Sequence, residues 1–173
     1  MKIVIVEDRP WKLEESIREI REKKFVLNDL VYVCKNKDVI DKQAETNLAN
    51  LKKHLDNLQI HIVDNSCFSD EMQNFFDDGE YFILCDFNLT GDNREYFDKR
   101  VNVMFAKRIM KKYKLEYPSP RIYFYTTAGE TTNAQINAVF PGRNISVVKM
   151  NEGQVILDID EIVTAIKKCE AEK

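Results

Sequence analysis

Four short stretches of this sequence carry side chains suited to phosphoryl chemistry: Glu7-Asp8, Asp86, Thr127 and Lys149. Each follows an apolar run of strand length, at residues 3–6, 81–85, 121–125 and 145–148. Open parallel sheets bind ligands at the carboxyl ends of their strands, so residues far apart in sequence would converge on one pocket. Three carboxylates crowded there would raise at least one pKa unless a cation neutralised them. Oxygen donors alone favour a hard cation, and Mg²⁺ is the natural choice beside phosphate. Such a cation lets an anionic phosphoryl group approach an aspartate that would otherwise repel it. The Asp86 carboxylate is then a competent nucleophile, forming an acyl phosphate. Lys149 would add a point positive charge for the phosphoryl oxygens, and the Thr127 hydroxyl a hydrogen bond to one of them. Catalysis of this kind is mostly positioning and charge stabilisation.

The elements that must position these residues are legible as an alternation of strand and helix patterns. Residues 2–6 read as a buried strand, and Pro10 suits the first turn of a helix whose apolar positions are Leu13, Ile17 and Ile20. Residues 30–34 and 59–63 are rival candidates for the second strand. Between them Ile40, Ala44, Leu48, Leu51, Leu55 and Leu58 form one apolar stripe. Its simplest reading is packing against the domain's own core, with a coiled-coil partner as the alternative. Residues 69–76 and 101–115 have helical patterns, as do 132–140, stopped by Pro141-Gly142. Asp158 or Asp160 opens the last helix. Repeated alternation implies an α/β fold with a parallel sheet and helices on both faces. The region between the first helix and the third strand is enlarged. One domain over residues 1–173 is expected, with insertions at about 35–68 and 92–100.

Composition narrows the function. The chain has 173 residues, enough for one sizeable core, and a net charge of −3 with the two signs interspersed. No basic stripe points to nucleic acid, and no apolar stretch has bilayer-spanning length. The four cysteines, Cys34, Cys67, Cys85 and Cys169, show no CxxC pairing. Only His54 and His61 could join them, so a zinc site is not expected and a reducing, cytoplasmic setting is.

Taken together, these segments resemble a response-regulator receiver domain of two-component signalling. Ile3-Val4-Ile5-Val6-Glu7-Asp8-Arg9-Pro10 resembles its opening, and Ile83-Leu84-Cys85-Asp86-Phe87-Asn88-Leu89-Thr90-Gly91 its phosphorylation segment. Tyr125-Thr126-Thr127-Ala128 and Val147-Val148-Lys149 resemble its hydroxyl and lysine segments, 22 residues apart from Thr127 to Lys149. The resemblance implies a doubly wound, flavodoxin-like parallel sheet of five strands with helices on both faces. On the same likeness Asp86 would be the phospho-acceptor, and Glu7 and Asp8 the acidic metal pair, with Asp8 the direct ligand. It also implies that the Asn88 backbone carbonyl completes the Mg²⁺ site, and that Thr127 and Lys149 contact the phosphoryl group. Thr126 is the alternative hydroxyl, but strand alternation and the small Ala128 favour Thr127. Two positions depart from the family. Ser146 stands where an aromatic often sits, leaving Tyr125 or Phe124 as substitutes, and Met150 stands where proline is common.

The expected function is thus a phospho-switch and not an enzyme acting on a separate substrate. A histidine kinase, phosphotransfer protein or small phosphodonor would modify Asp86, and the added charge would alter a face that binds a downstream protein. No effector domain is seen after the last helix, so output through protein contact is expected. The alternative is a pseudo-receiver, a constitutive interaction module, to which homodimerisation through residues 40–58 would lend weight. A phosphohydrolase with an aspartate nucleophile ranks third, because Asn88 stands where such enzymes place a second acid.

Overall fold

The structure is a computed structural model that describes residues 1–64, 81–87, 89, 121–127, 130–151 and 153–172. The helical patterns at 69–76 and 101–115, the loop at 92–100, and residues Cys67, Asn88 and Ala128 lie outside the described residues. Within them the chain runs β1 (Lys2–Glu7), a 3-10 turn (Pro10–Leu13), α1 (Glu14–Glu22), β2 (Val26–Cys34), α2 (Lys42–His54) and β3 (Gln59–Asp64). There follow β4 (Tyr81–Asp86), β5 (Ile122–Tyr125), α3 (Glu130–Val139), β6 (Val147–Asn151), β7 (Gln154–Leu157) and α4 (Ile159–Ala171).

Five strands form one parallel sheet in the order β3-β2-β1-β4-β5. Both rivals for the second strand are therefore strands. β2 lies beside β1, and β3 adds an outer edge. Beyond β5 a single parallel bridge, Phe124 to Asn144, continues the sheet. The run β2-β1-β4-β5 with this bridge has the flavodoxin-like order, extended at the opposite edge by β3.

Alternation along each strand sorts side chains onto two faces, each covered by helix. Ile3, Ile5, Phe82, Leu84, Tyr123 and Tyr125 pack with α1, α2 and α4, while Val4, Val6, Ile83, Cys85 and Phe124 pack with Ile136 and Phe140 at α3. In β2 the alternation is broken, because Ile3 pairs with Leu27 and Val4 with Asp29, leaving Asn28 as an extra residue. Leu27 and Leu30 consequently share one face, which is why the strand pattern in the sequence begins only at residue 30. The α2 stripe is buried in the protein's own core: Ala44, Leu48 and Leu51, with Leu55 and Leu58 beyond the helix end. The Asp41 side chain caps α2, accepting from Gln43 N at 2.7 Å and Ala44 N at 2.9 Å.

The last strand differs from the sequence expectation. Residues 147–151 do not enter the parallel sheet; β6 pairs antiparallel with β7 in a separate two-stranded sheet. The apolar run is split between the two arrangements: Ile145 N donates to Phe124 O at 2.7 Å, and the next strand pairing is with the hairpin. Two residues link β6 to β7, and the second, Gly153, has φ +77°, a conformation glycine supplies without strain. Ser16, fully buried on α1, ties the hairpin to the main body. Its hydroxyl donates to Val155 O at 3.1 Å and accepts from Leu157 N at 3.0 Å. Asp158 caps α4 by accepting from Glu161 N at 3.0 Å, one of the two openings expected from sequence.

Candidate functional site

β1 and β4 lie side by side, with Val6 opposite Cys85 at their carboxyl ends. From β1 the chain crosses outward through α1 to β2, whereas β4 leads away toward β5 on the other side. Crossovers thus diverge between these two strands, and a doubly wound sheet opens its ligand crevice at that point. Glu7 ends β1, Asp8 follows it, and Asp86 ends β4. One carboxylate oxygen from each lies within 4.8 Å of the others, and all three residues are buried. This is the convergence expected from the sequence for Glu7, Asp8 and Asp86.

The same register brings in Tyr125, which the sequence offered only as a substitute for the aromatic missing at position 146. Asp86 pairs with Tyr125 on β5, and alternation puts Glu7, Asp86 and Tyr125 on one face of the sheet in a single row. The Tyr125 hydroxyl donates to Glu7 Oε2 at 2.5 Å. The other Glu7 oxygen accepts from Asp8 N and Arg9 N, each at 3.0 Å. Glu7 is therefore held by three donors. Asp8 has one close cationic neighbour, Arg9 Nε at 3.4 Å from Oδ1.

The electrostatics follow from crowding. Burial first, then the Asp86 charge, pushes the Glu7 carboxyl up, against the pull of its hydrogen bonds. Asp8 is pushed up to about 8 by burial, by its hydrogen bond to Glu7 and by the Glu7 charge. Tyr125 is raised well above its ordinary value by burial and by Glu7 and Asp86, so it stays a donor. A cluster of carboxylates that resists full ionisation is one that a divalent cation would stabilise. The all-oxygen donor set fits Mg²⁺. Both Glu7 oxygens accept hydrogen bonds, and Asp8 Oδ1 accepts from Arg9 Nε at 3.4 Å.

The remaining residues expected at the site are placed less uniformly. Thr126, directly after β5, is buried, and Thr127 is exposed. Lys149 is exposed on β6, opposite Ile156 in the hairpin, and is not at the carboxyl end of a strand of the parallel sheet. Lys12, which the sequence reading passed over, is half-buried in the 3-10 turn, where burial and the Arg9 charge hold the pKa of its ammonium below the ordinary value against the favourable charges of Glu7, Asp8 and Asp86. Its position, four residues beyond Asp8 in an amphipathic pattern, offered the only sequence signal.

The strand order has a second association, with dinucleotides, but that chemistry uses a glycine-rich first turn whose backbone cradles pyrophosphate. Here the turn reads Glu7-Asp8-Arg9-Pro10, without glycine and with two buried acids that would repel phosphate in the absence of a cation. Compared with family models, curated proteins and solved structures, the chain matches none of them at a level that shows kinship. Among the described residues no helix is long and apolar enough to cross a membrane.

Proposed function

We propose that this chain is a receiver-type phospho-acceptor, in which Asp86 takes a phosphoryl group with the help of Mg²⁺ held by Asp8 and Asp86. The observation that carries this reading is the meeting of Glu7, Asp8 and Asp86 at the β1/β4 crevice. The cation would supply charge neutralisation and orient the phosphoryl oxygens. Glu7 is fixed by Tyr125 and two backbone amides, and the cation would offset its charge. The Asp86 carboxylate oxygen attacks phosphorus, giving an acyl phosphate. The donor's leaving atom, the imidazole nitrogen of a phosphohistidine or the acyl oxygen of a small phosphodonor, departs with the electron pair of its bond to phosphorus. A histidine kinase, a phosphotransfer protein or a small phosphodonor is the source, and a protein partner reads the result. The test is intact-protein mass spectrometry after incubation with acetyl phosphate, with and without Mg²⁺, on wild type and Asp86→Ala. One phosphoryl adduct that needs both Mg²⁺ and Asp86 is expected; an adduct on Asp86→Ala would sink the assignment.

A second reading, a constitutive interaction module of the same fold, draws support from the exposed position of Lys149 in the hairpin. It requires that Mg²⁺ and phosphodonors leave the protein unchanged.

A further inference from the structure

A cluster of three carboxylates attracts Ca²⁺ as well as Mg²⁺, and the two ions ask different things of a carboxylate. Mg²⁺ keeps several of its waters and is held by one or two carboxylates. The larger Ca²⁺ gathers roughly six to eight oxygens and often takes a carboxylate through both of its own. We propose that Tyr125 is a specificity-determining residue of the cation site: by pinning Glu7, it keeps that carboxylate from closing on Ca²⁺ and so favours Mg²⁺. The inference rests on the phospho-acceptor reading and adds to it the choice of metal.

The first argument is a count of lone pairs. An ionised carboxylate offers about four acceptor positions, two on each oxygen. Glu7 Oε1 accepts from Asp8 N and Arg9 N, each at 3.0 Å, which fills both of its positions. Oε2 accepts from the Tyr125 hydroxyl at 2.5 Å. Only one position on Oε2 is left, so Glu7 cannot take a cation through both oxygens without giving up a donor.

The second argument is that these donors are not easily given up. Asp8 N and Arg9 N belong to the chain as it leaves β1. Tyr125 is 1% exposed and Glu7 4%, so bulk water does not reach their bond to replace either partner. A buried hydroxyl stripped of its acceptor bears the full cost of desolvation. Nor does the phenol follow Glu7 if the acid turns away. Tyr125 is in register with Asp86, its carbonyl accepts from Phe87 N at 2.9 Å, and its ring is packed in the core. Asp8, by contrast, meets a partly exposed arginine at 3.4 Å, a contact that a cation can displace.

The test measures Mg²⁺ and Ca²⁺ affinity by isothermal titration calorimetry with the chloride salts, on wild type, Tyr125→Phe and Tyr123→Phe. Tyr123 is a buried tyrosine of the same strand whose hydroxyl accepts from Arg143 Nη1 at 2.9 Å, and it controls for the loss of a phenol as such. Wild type is expected to bind Mg²⁺ about tenfold more tightly than Ca²⁺. In Tyr125→Phe the acid is held at Oε1 alone and can turn, so the ratio should fall to about threefold or less, through a gain in Ca²⁺ affinity. Tyr123→Phe should keep the wild-type ratio. Because both ions carry the same charge, general loosening of the site would weaken them alike and leave the ratio where it was. A wild type that binds Ca²⁺ as tightly as Mg²⁺, which needs no variant to see, would overturn the inference and leave the phospho-acceptor reading intact. So would a Tyr125→Phe ratio equal to that of wild type. Binding of neither ion by wild type would sink both together.

Discussion

Tyr125 and Glu7 sit on strands that do not touch, yet the tyrosine hydroxyl reaches across β4 to donate to Glu7 Oε2 at 2.5 Å. Both residues are buried, and Asp86 on the intervening strand completes the row. The contact explains how a buried acid can stay in one place next to two others. Tyr125→Phe keeps the ring but leaves the carboxylate short of a donor. Hydrogen bonds to charged groups contribute roughly 1.5–3 kcal/mol, so a loss of about 2 kcal/mol is expected in urea denaturation. A variant as stable as wild type would show that the hydroxyl does not hold Glu7.

The raised Asp8 carboxyl makes metal-free stability depend on pH. Burial and Glu7 push its carboxyl up to about 8 in the folded protein from an ordinary value of 3.8, so the native state keeps a proton that the unfolded chain releases between those values. Stability falls with pH wherever the native state binds more protons. Melting in chelator should therefore drop as pH rises from about 4 to about 8, and level off above the folded pKa. Asp8→Asn should flatten most of that slope. Mg²⁺ in excess should raise the wild-type midpoint at the alkaline end, where the carboxylates are ionised, and do little for Asp8→Asn.

Ser16 binds the hairpin to α1 through both its lone pair and its proton. Ser16→Ala strands Val155 O and Leu157 N in a buried setting, for an expected loss of about 1–3 kcal/mol. Hydrogen exchange should quicken in β7 while the parallel sheet keeps its protection. Uniform loss of protection throughout the chain would mean that the hairpin is not a separable unit.

Leu51, only 1% exposed, lies at the centre of the α2 stripe. Leu51→Ala should cost about 2–5 kcal/mol by leaving a cavity in the core. Sedimentation of the folded variant should match wild type, because the stripe faces inward; a change in oligomeric state would revive the coiled-coil reading.

How much of this was open to sequence reading depends on what each residue's neighbours allow. Glu7, Asp8 and Asp86 were legible because each closes an apolar run, and closing a parallel strand fixes which end of the sheet a residue occupies. Lys149 closes an equally good run. What sequence periodicity does not distinguish is a strand of the main sheet from one arm of a hairpin, and the only clue was Gly153 placed shortly before Val155-Ile156-Leu157. The Tyr125 ring is core, and only strand register shows that its hydroxyl end meets Glu7. The contest between residues 30–34 and 59–63 had no single answer, since a parallel sheet can grow at its edge and β3 does so. Its exposed Ile62 and the pair His61 Nε2 to Asp29 Oδ1 at 2.9 Å mark that edge.

The most direct test of the central claim is to trap the modification at its atom. Wild-type protein treated with acetyl phosphate and Mg²⁺ would be reduced with borohydride, which converts an aspartyl phosphate to homoserine, and its peptides then mapped by mass spectrometry. The account expects homoserine at position 86 and nowhere else, and its disappearance when Mg²⁺ is chelated. Homoserine at another aspartate, or none in protein shown to bind Mg²⁺ and to have met both phosphodonor and candidate kinases, would contradict it.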